Sequence, residues 1–118
     1  MQQKQQVDTH ENFITKKVDY VIIYVNNRFL REKDVTSMNA KILDASMCES
    51  KIVVELGYLK SVDNSVLDAL LSAYTDFQNR KKTIYLVHAQ ESLRDIMKQH
   101  EISKVPIYDT IDNIPGLR

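Results

Sequence analysis

Ser65, Asp63 and His88 are the residues whose types could carry chemistry, and they lie in two polar stretches, "YLKSVDNS" and "HAQES". A serine, an acid and an imidazole are the ingredients of an activated nucleophile with its base and orienting group. The same serine could instead accept a phosphoryl group, or satisfy free amides where a helix begins. Spacing separates these possibilities. The serine lacks the Gly-x-Ser-x-Gly elbow that exposes a hydrolase nucleophile. Asp63 is two residues from Ser65, a spacing that suits capping better than steering a distant imidazole. The chain therefore reads as non-catalytic. The open alternatives for Ser65 are a plain helix start and a phosphorylatable hydroxyl, and the second requires an oxygen that a visiting enzyme can reach.

Other chemistry finds little support. His10, His88 and His100 are far apart and Cys48 is the single cysteine, whereas a zinc site shows close ligand pairs. With two glycines in the chain there is no glycine-rich phosphate cradle, so no cofactor is expected. Cys48 stands beside Glu49, a carboxylate that opposes thiolate formation. His88 is expected to bond backbone or water at a strand end, and His100 to pack near a helix end. "NN" follows the first long strand where a receiver domain needs an acidic pair. Tyr20, Tyr24, Tyr74, Tyr85 and Tyr108 fall on strands or core helix faces and read as packing residues. Tyr58 differs: it precedes Asp63 in a loop and suits an exposed aromatic anchor for a partner.

The elements that must position these residues follow from periodicity. "DYVIIYV", "KIVVEL" and "TIYLVH" are β-branched, apolar runs suited to strands covered on both faces. "NFITKK" reads as a short edge strand after a frayed tail over residues 1–9, and "NNR" as a turn. Val35, Met38, Ile42 and Ala45 mark a helix over 30–48, capped by Asp34 or Thr36. Val66, Leu67, Leu70, Leu71, Tyr74 and Phe77 share a face of the next, which "NRKK" ends as a solvated terminus. Leu93, Ile96 and Met97 mark a third, and "KVPIYDT" closes as a strand whose Pro106 fits a sheet edge. The order β-β-α-β-α-β-α-β predicts a small α/β domain over 10–118 with a mixed, mainly parallel sheet. Such sheets work at the carboxyl ends of their strands, where Ser65 and His88 are both expected.

The totals agree with one domain of 118 residues. Sixteen basic and sixteen acidic residues cancel, so neither nucleic acid nor an acidic membrane is called for, and a protein partner is favoured. A lone cysteine fits a reducing compartment. The start of the chain lacks a signal-peptide core and no run could span a bilayer, so the expected location is cytoplasmic. Oligomeric state stays open.

The series from "SKIVVELGYLKSVDNSVLDALLSAY" through "TIYLVHAQESLRDIM" to "KVPIYDT" resembles STAS domains of the bacterial anti-sigma-factor antagonist type. The likeness runs from about Tyr20 to Ile111. Carried over by position, Asp63 matches the aspartate of an Asp-Ser-Ser/Thr-Gly motif, Asn64 its first serine and Ser65 its phosphorylated serine. The resemblance implies a protein-binding switch. An anti-sigma factor or related serine kinase would phosphorylate Ser65, a phosphatase would reset it, and the partner surface would include Tyr58, Asp63, Asn64, Ser65 and Val66. Val66 replaces the motif glycine, which would put a branched side chain on the docking surface. "NNRFL" departs from the family's Gly-Glu-Leu-Asp loop beside it. The alternative within the resemblance is an unphosphorylated adaptor subunit of a transport or stress-signalling complex.

Overall fold

The three apolar runs become the middle of one sheet. The computed structural model describes residues 6–8, 13–16, 20–100 and 102–117. In it, β3 (Val21–Tyr24), β5 (Lys51–Glu55) and β7 (Thr83–Val87) lie side by side and parallel. Alternation along them sends Val21, Ile23, Ile52, Val54, Ile84 and Leu86 to one face and Ile22, Val53 and Val87 to the other. Both sets are buried, which is why these strands carry no polar alternation.

The flanks complete the sheet in the order β1-β2-β3-β5-β7-β8. β2 (Phe13–Lys16) pairs antiparallel with β3, and β1 (Gln6–Asp8) antiparallel with β2. The stretch read as a frayed tail thus contains a strand, since an edge pairs through backbone and needs no side-chain pattern; His10 lies outside the described residues. On the far edge, β8 (Ile107–Tyr108) runs parallel to β7. Pro106 precedes it, and its carbonyl accepts the Leu86 amide at 2.9 Å.

Helices α1 (Val35–Ser46), α2 (Asn64–Gln78) and α3 (Glu91–Gln99) all cover the same face. Their predicted stripes supply its core: Ile42 and Ala45, then Val66, Leu67, Leu70 and Phe77, then Leu93 and Met97. No α-helix covers the opposite face among the described residues; Ile111, Ile114 and Leu117 of the segment after β8 do so, with Tyr20, Tyr24, Tyr85 and Tyr108 half-buried around them.

Two further features depart from the sequence reading. Phe29–Leu30 forms a strand, β4, that pairs parallel with Ser61–Val62, β6, in a separate two-stranded sheet. Leu30 therefore belongs to a strand, and α1 starts only after a 3-10 turn over Glu32–Asp34. Asp34 turns its carboxylate back to the Arg31 amide at 2.8 Å instead of capping α1. The "NRKK" end is also more than a solvated terminus. Arg80 pairs with Asp76 at 3.2 Å, and the Lys82 ammonium donates to the Ser46 carbonyl at 2.5 Å, tying the exit of α2 to the last residue of α1.

Candidate functional site

The loop after β5 and the loop after β3 are stitched together, and this positions the predicted site. The Arg28 carbonyl accepts the amides of Lys60 at 2.7 Å and Ser61 at 3.3 Å, and the Leu30 carbonyl accepts that of Asp63 at 3.0 Å. Leu30 and Leu59 are buried beneath this junction and anchor it to the core. The β4–β6 ladder thus places Arg28 against Tyr58, Arg31 against Asp63 and Phe29 opposite Ser61. The resemblance put the "NNRFL" loop beside the partner surface, but sequence reasoning named none of Arg28, Phe29 and Arg31 as site residues. Two residues per strand are too few to show alternation, so no periodic signal could have found them.

Each predicted residue takes a definite place. Tyr58 is exposed at 51%, as expected of an anchor, with the Arg28 guanidinium 5.5 Å from its ring centroid. Phe29 is exposed at 47% with Arg31 at 5.4 Å over its ring. Stacking of this kind is worth about 0.5–1 kcal/mol at exposed sites. Asp63 is the N-cap residue of α2 by backbone conformation, and its carbonyl accepts the Val66 amide at 3.0 Å. Its carboxylate does not cap that helix. It accepts the Glu32 amide at 2.9 Å and lies 3.9 Å from the Arg31 guanidinium, clasping the β4 side of the corner. Asn64 is exposed.

Ser65 lies in the first turn of α2. The residue is half-buried, but its Oγ has under 1 Å² of accessible surface and no hydrogen-bond partner. In this rotamer it neither caps the helix nor faces a visiting enzyme. Val66 is a correction to the predicted partner surface: it is fully buried and packs in the helical core. Position 66 points under α2, so the branched side chain that replaces the motif glycine adds to the core and not to the docking surface.

The hydrolase constellation is not assembled. Asp63 engages Glu32 and Arg31, Ser65 Oγ has no partner, and His88 turns to Glu55. His88 follows β7 with φ of 63°, held there by its own amide, which donates to the Tyr108 and Asp109 carbonyls at 3.3 and 3.2 Å. Its Nδ1 bonds Glu55 Oε2, a side-chain partner where backbone or water was expected. Glu55 also acts on its neighbour across the ladder. Burial first, then the charge of Glu55 and the nearby Tyr20, push the Tyr24 phenol above its usual range. His100 Nε2 lies 2.7 Å from Asp68 Oδ1, joining the end of α3 to α2. Among the described residues, no group of three His, Cys, Asp or Glu side chains could hold a metal ion. No helix there is long and apolar enough to cross a membrane.

Solved structures with the same fold include TM1081 by NMR, with a TM-score of 0.74, 20% identity, and coverage of 95% of this chain and 93% of that one. The crystal structure of TM1081 from Thermotoga maritima, provisionally described as an anti-sigma factor antagonist, matches with a TM-score of 0.65 and 18% identity over 77% and 81% of the two chains. SpoIIAA, an anti-sigma factor antagonist in its unphosphorylated form, gives a TM-score of 0.64 and 15% identity over 93% and 90%. No curated protein sequence matches the chain. The family model of the STAS domain matches residues 4–114, nearly the whole length, and the chain belongs to the STAS domain family.

Proposed function

We propose that this chain is a non-catalytic, cytoplasmic regulatory module that binds a protein partner through the corner where β4, β6 and the start of α2 meet. One observation carries the reading: Tyr58 and Phe29 stand in water, each beneath a guanidinium, beside Asp63 and Asn64. Folding gains nothing from exposing either ring. Aromatic and arginine side chains are the types that dominate binding energy at interface centres, with polar residues at the rim. The partner class, taken from relatives described as anti-sigma factor antagonists, is an anti-sigma factor or a related serine kinase. The test is calorimetric titration with the serine kinase of this class encoded nearest to the chain. Tyr58→Ala is expected to weaken binding at least tenfold, about 1.4 kcal/mol. Unchanged affinity in both Tyr58→Ala and Phe29→Ala removes the corner from the interface.

The control we propose is phosphorylation of Ser65 by that kinase, reversed by a phosphatase. Its support is the position of the hydroxyl. The first amides of a helix have no intrahelical partner and favour an anion, and Arg31 brings a cation to the same corner. The inward rotamer has to turn out first. No hydrogen bond holds it, and a buried unpaired hydroxyl costs about 1–3 kcal/mol, so turning toward water recovers solvation. Mass spectrometry after incubation with the kinase should place phosphate on Ser65 and find none in Ser65→Ala. The enclosed oxygen favours a second reading, a constitutive adaptor in a transport or stress-signalling complex whose Ser65 is never modified. Binding separates the two: Ser65→Asp abolishes it and Ser65→Ala preserves it in a switch, whereas a fixed adaptor that does not use this oxygen ignores both.

A further inference from the structure

The turn that carries Tyr58 is gripped from both sides by side chains outside the docking corner. On one side, Glu55 at the end of β5 divides its carboxylate. Oε1 accepts the Gly57 amide at 3.2 Å, and Oε2 bonds His88 Nδ1. On the other side, the Gln90 amide nitrogen donates to the carbonyls of Gly57 at 3.1 Å and Leu59 at 3.2 Å, the two residues that bracket Tyr58. Gln90 is the N-cap residue of α3, yet its side chain makes no cap bond there. Its hydrogen-bonding capacity goes to the neighbouring loop instead.

Glycine at 57 fits the same arrangement. A Cβ at that position would sit 3.0 Å from Glu55 Oε2, the oxygen that holds His88, and 3.6 Å from His88 Cβ. The carboxylate could swing away, but only by leaving the imidazole. His88 itself is fixed, since its left-handed backbone is tied to Tyr108 and Asp109 at the end of β8. The grip therefore joins the ends of three neighbouring parallel strands, β5, β7 and β8, to one exposed tyrosine.

We infer that Glu55, His88 and Gln90 are positioning residues for docking: they form a latch that sets the posture of Tyr58 before a partner arrives. The inference rests on the docking reading of Tyr58 and deepens it. A loop ordered in advance loses less entropy on binding, and each rotamer-rich side chain left to be ordered in the complex lowers affinity. The latch acts through pre-organisation, with none of its members touching the partner.

The experiment compares Gln90→Ala, Glu55→Ala and Glu55→Gln with the parent chain, reading amide order parameters by NMR and affinity for the serine kinase used above. In Gln90→Ala, order parameters at Gly57 to Lys60 should fall from the rigid range, about 0.85, toward 0.6 or below, while those of α2 and α3 hold. Kinase affinity should fall at least threefold. Glu55→Ala should do the same, and Glu55→Gln should recover part of both, because the amide keeps an acceptor for Gly57 and a partner for the imidazole. A purely structural role predicts no such rescue and no loosening confined to one loop. Gly57→Ala provides a second route, displacing the carboxylate without deleting it. Unchanged order in both Gln90→Ala and Gly57→Ala overturns the latch. A loosened loop with unchanged kinase affinity overturns the positioning role, whereas unchanged affinity in Tyr58→Ala itself is what overturns docking through that ring.

Discussion

The two faces of the central sheet solve burial differently. Three helices close one face, and its apolar side chains interlock in a single cluster from Val21 to Val105. The other face has Ile22, Val53 and Val87 at its centre, three aliphatic side chains from the C-terminal segment above them, and tyrosines around the edge. The helical face is almost wholly apolar. Ser46 is admitted with its hydroxyl bonded to the Leu43 carbonyl at 2.6 Å, while Ser65 Oγ is enclosed without a partner. The tyrosine face tolerates polar atoms because each phenol can reach water from an apolar body. The contrast between the two should appear as different costs for comparable substitutions.

Leucine truncation gives the largest contrast. Leu67 is fully buried in the middle of the helical cluster, so Leu67→Ala should cost about 2–5 kcal/mol, as cavity-forming core changes do. Leu117 is as deeply buried, but it hangs on the last described segment of the chain. A short segment outside the sheet and the α-helices can open locally, which caps the loss at the free energy of its own docking, so Leu117→Ala should cost below about 2 kcal/mol. Urea denaturation of both variants measures the difference. Equal costs would mean that the C-terminal segment is as integral to the cooperative unit as α2.

Ser65→Ala probes the helical face from the opposite direction. Removing an enclosed hydroxyl that has no partner relieves its desolvation, and alanine is the better helix former. The variant should be more stable by about 1 kcal/mol, read from the same denaturation curves. A loss of stability would mean that the oxygen is satisfied in solution, by water or by turning outward, and that its enclosure is not the resting state.

These differences also explain what could be read in the chain beforehand. β3, β5 and β7 were legible because strands buried on both faces must be apolar throughout, and α2 because one helix face meets a sheet. Side of packing was not legible. An apolar stripe says that a helix is buried, and nothing in its period chooses between two faces of a sheet. β4 and β6 were hidden by length, although they bring Arg28 and Phe29 to Tyr58. At the site, the exposure of Tyr58 followed from its place in a loop. The fate of Val66 was in the sequence twice, once as a motif position and once in the apolar stripe of α2, and the stripe wins because it reports packing directly. The grip on Gly57 could not be read, since Glu55 is two residues away but Gln90 bonds Gly57, and His88 bonds Glu55, across 33 residues of sequence.

The tyrosine face should also show its character at high pH, with the smallest of these effects. Burial, helped by the charge of Glu55 and by Tyr20, raises the Tyr24 phenol above its usual value of 10.0. Burial and the neighbouring Tyr108 and Tyr74 raise that of Tyr85, against a lowering hydrogen bond from Thr83. A raised phenol keeps its proton in the folded chain after the unfolded chain has begun to release it. The folded state then binds more protons than the unfolded state, so stability falls as pH rises from about 10 through the folded-state values. The contribution is fully present below about pH 10 and lost above the folded-state values. Both rings are partly exposed, so solvent screening keeps the loss small. Tyr24→Phe and Tyr85→Phe should each flatten the decline in denaturation midpoint above about pH 10. If both slopes match the parent, burial on the tyrosine face does not hold these phenols' protons, and the contrast between the two faces lies in their aliphatic side chains alone.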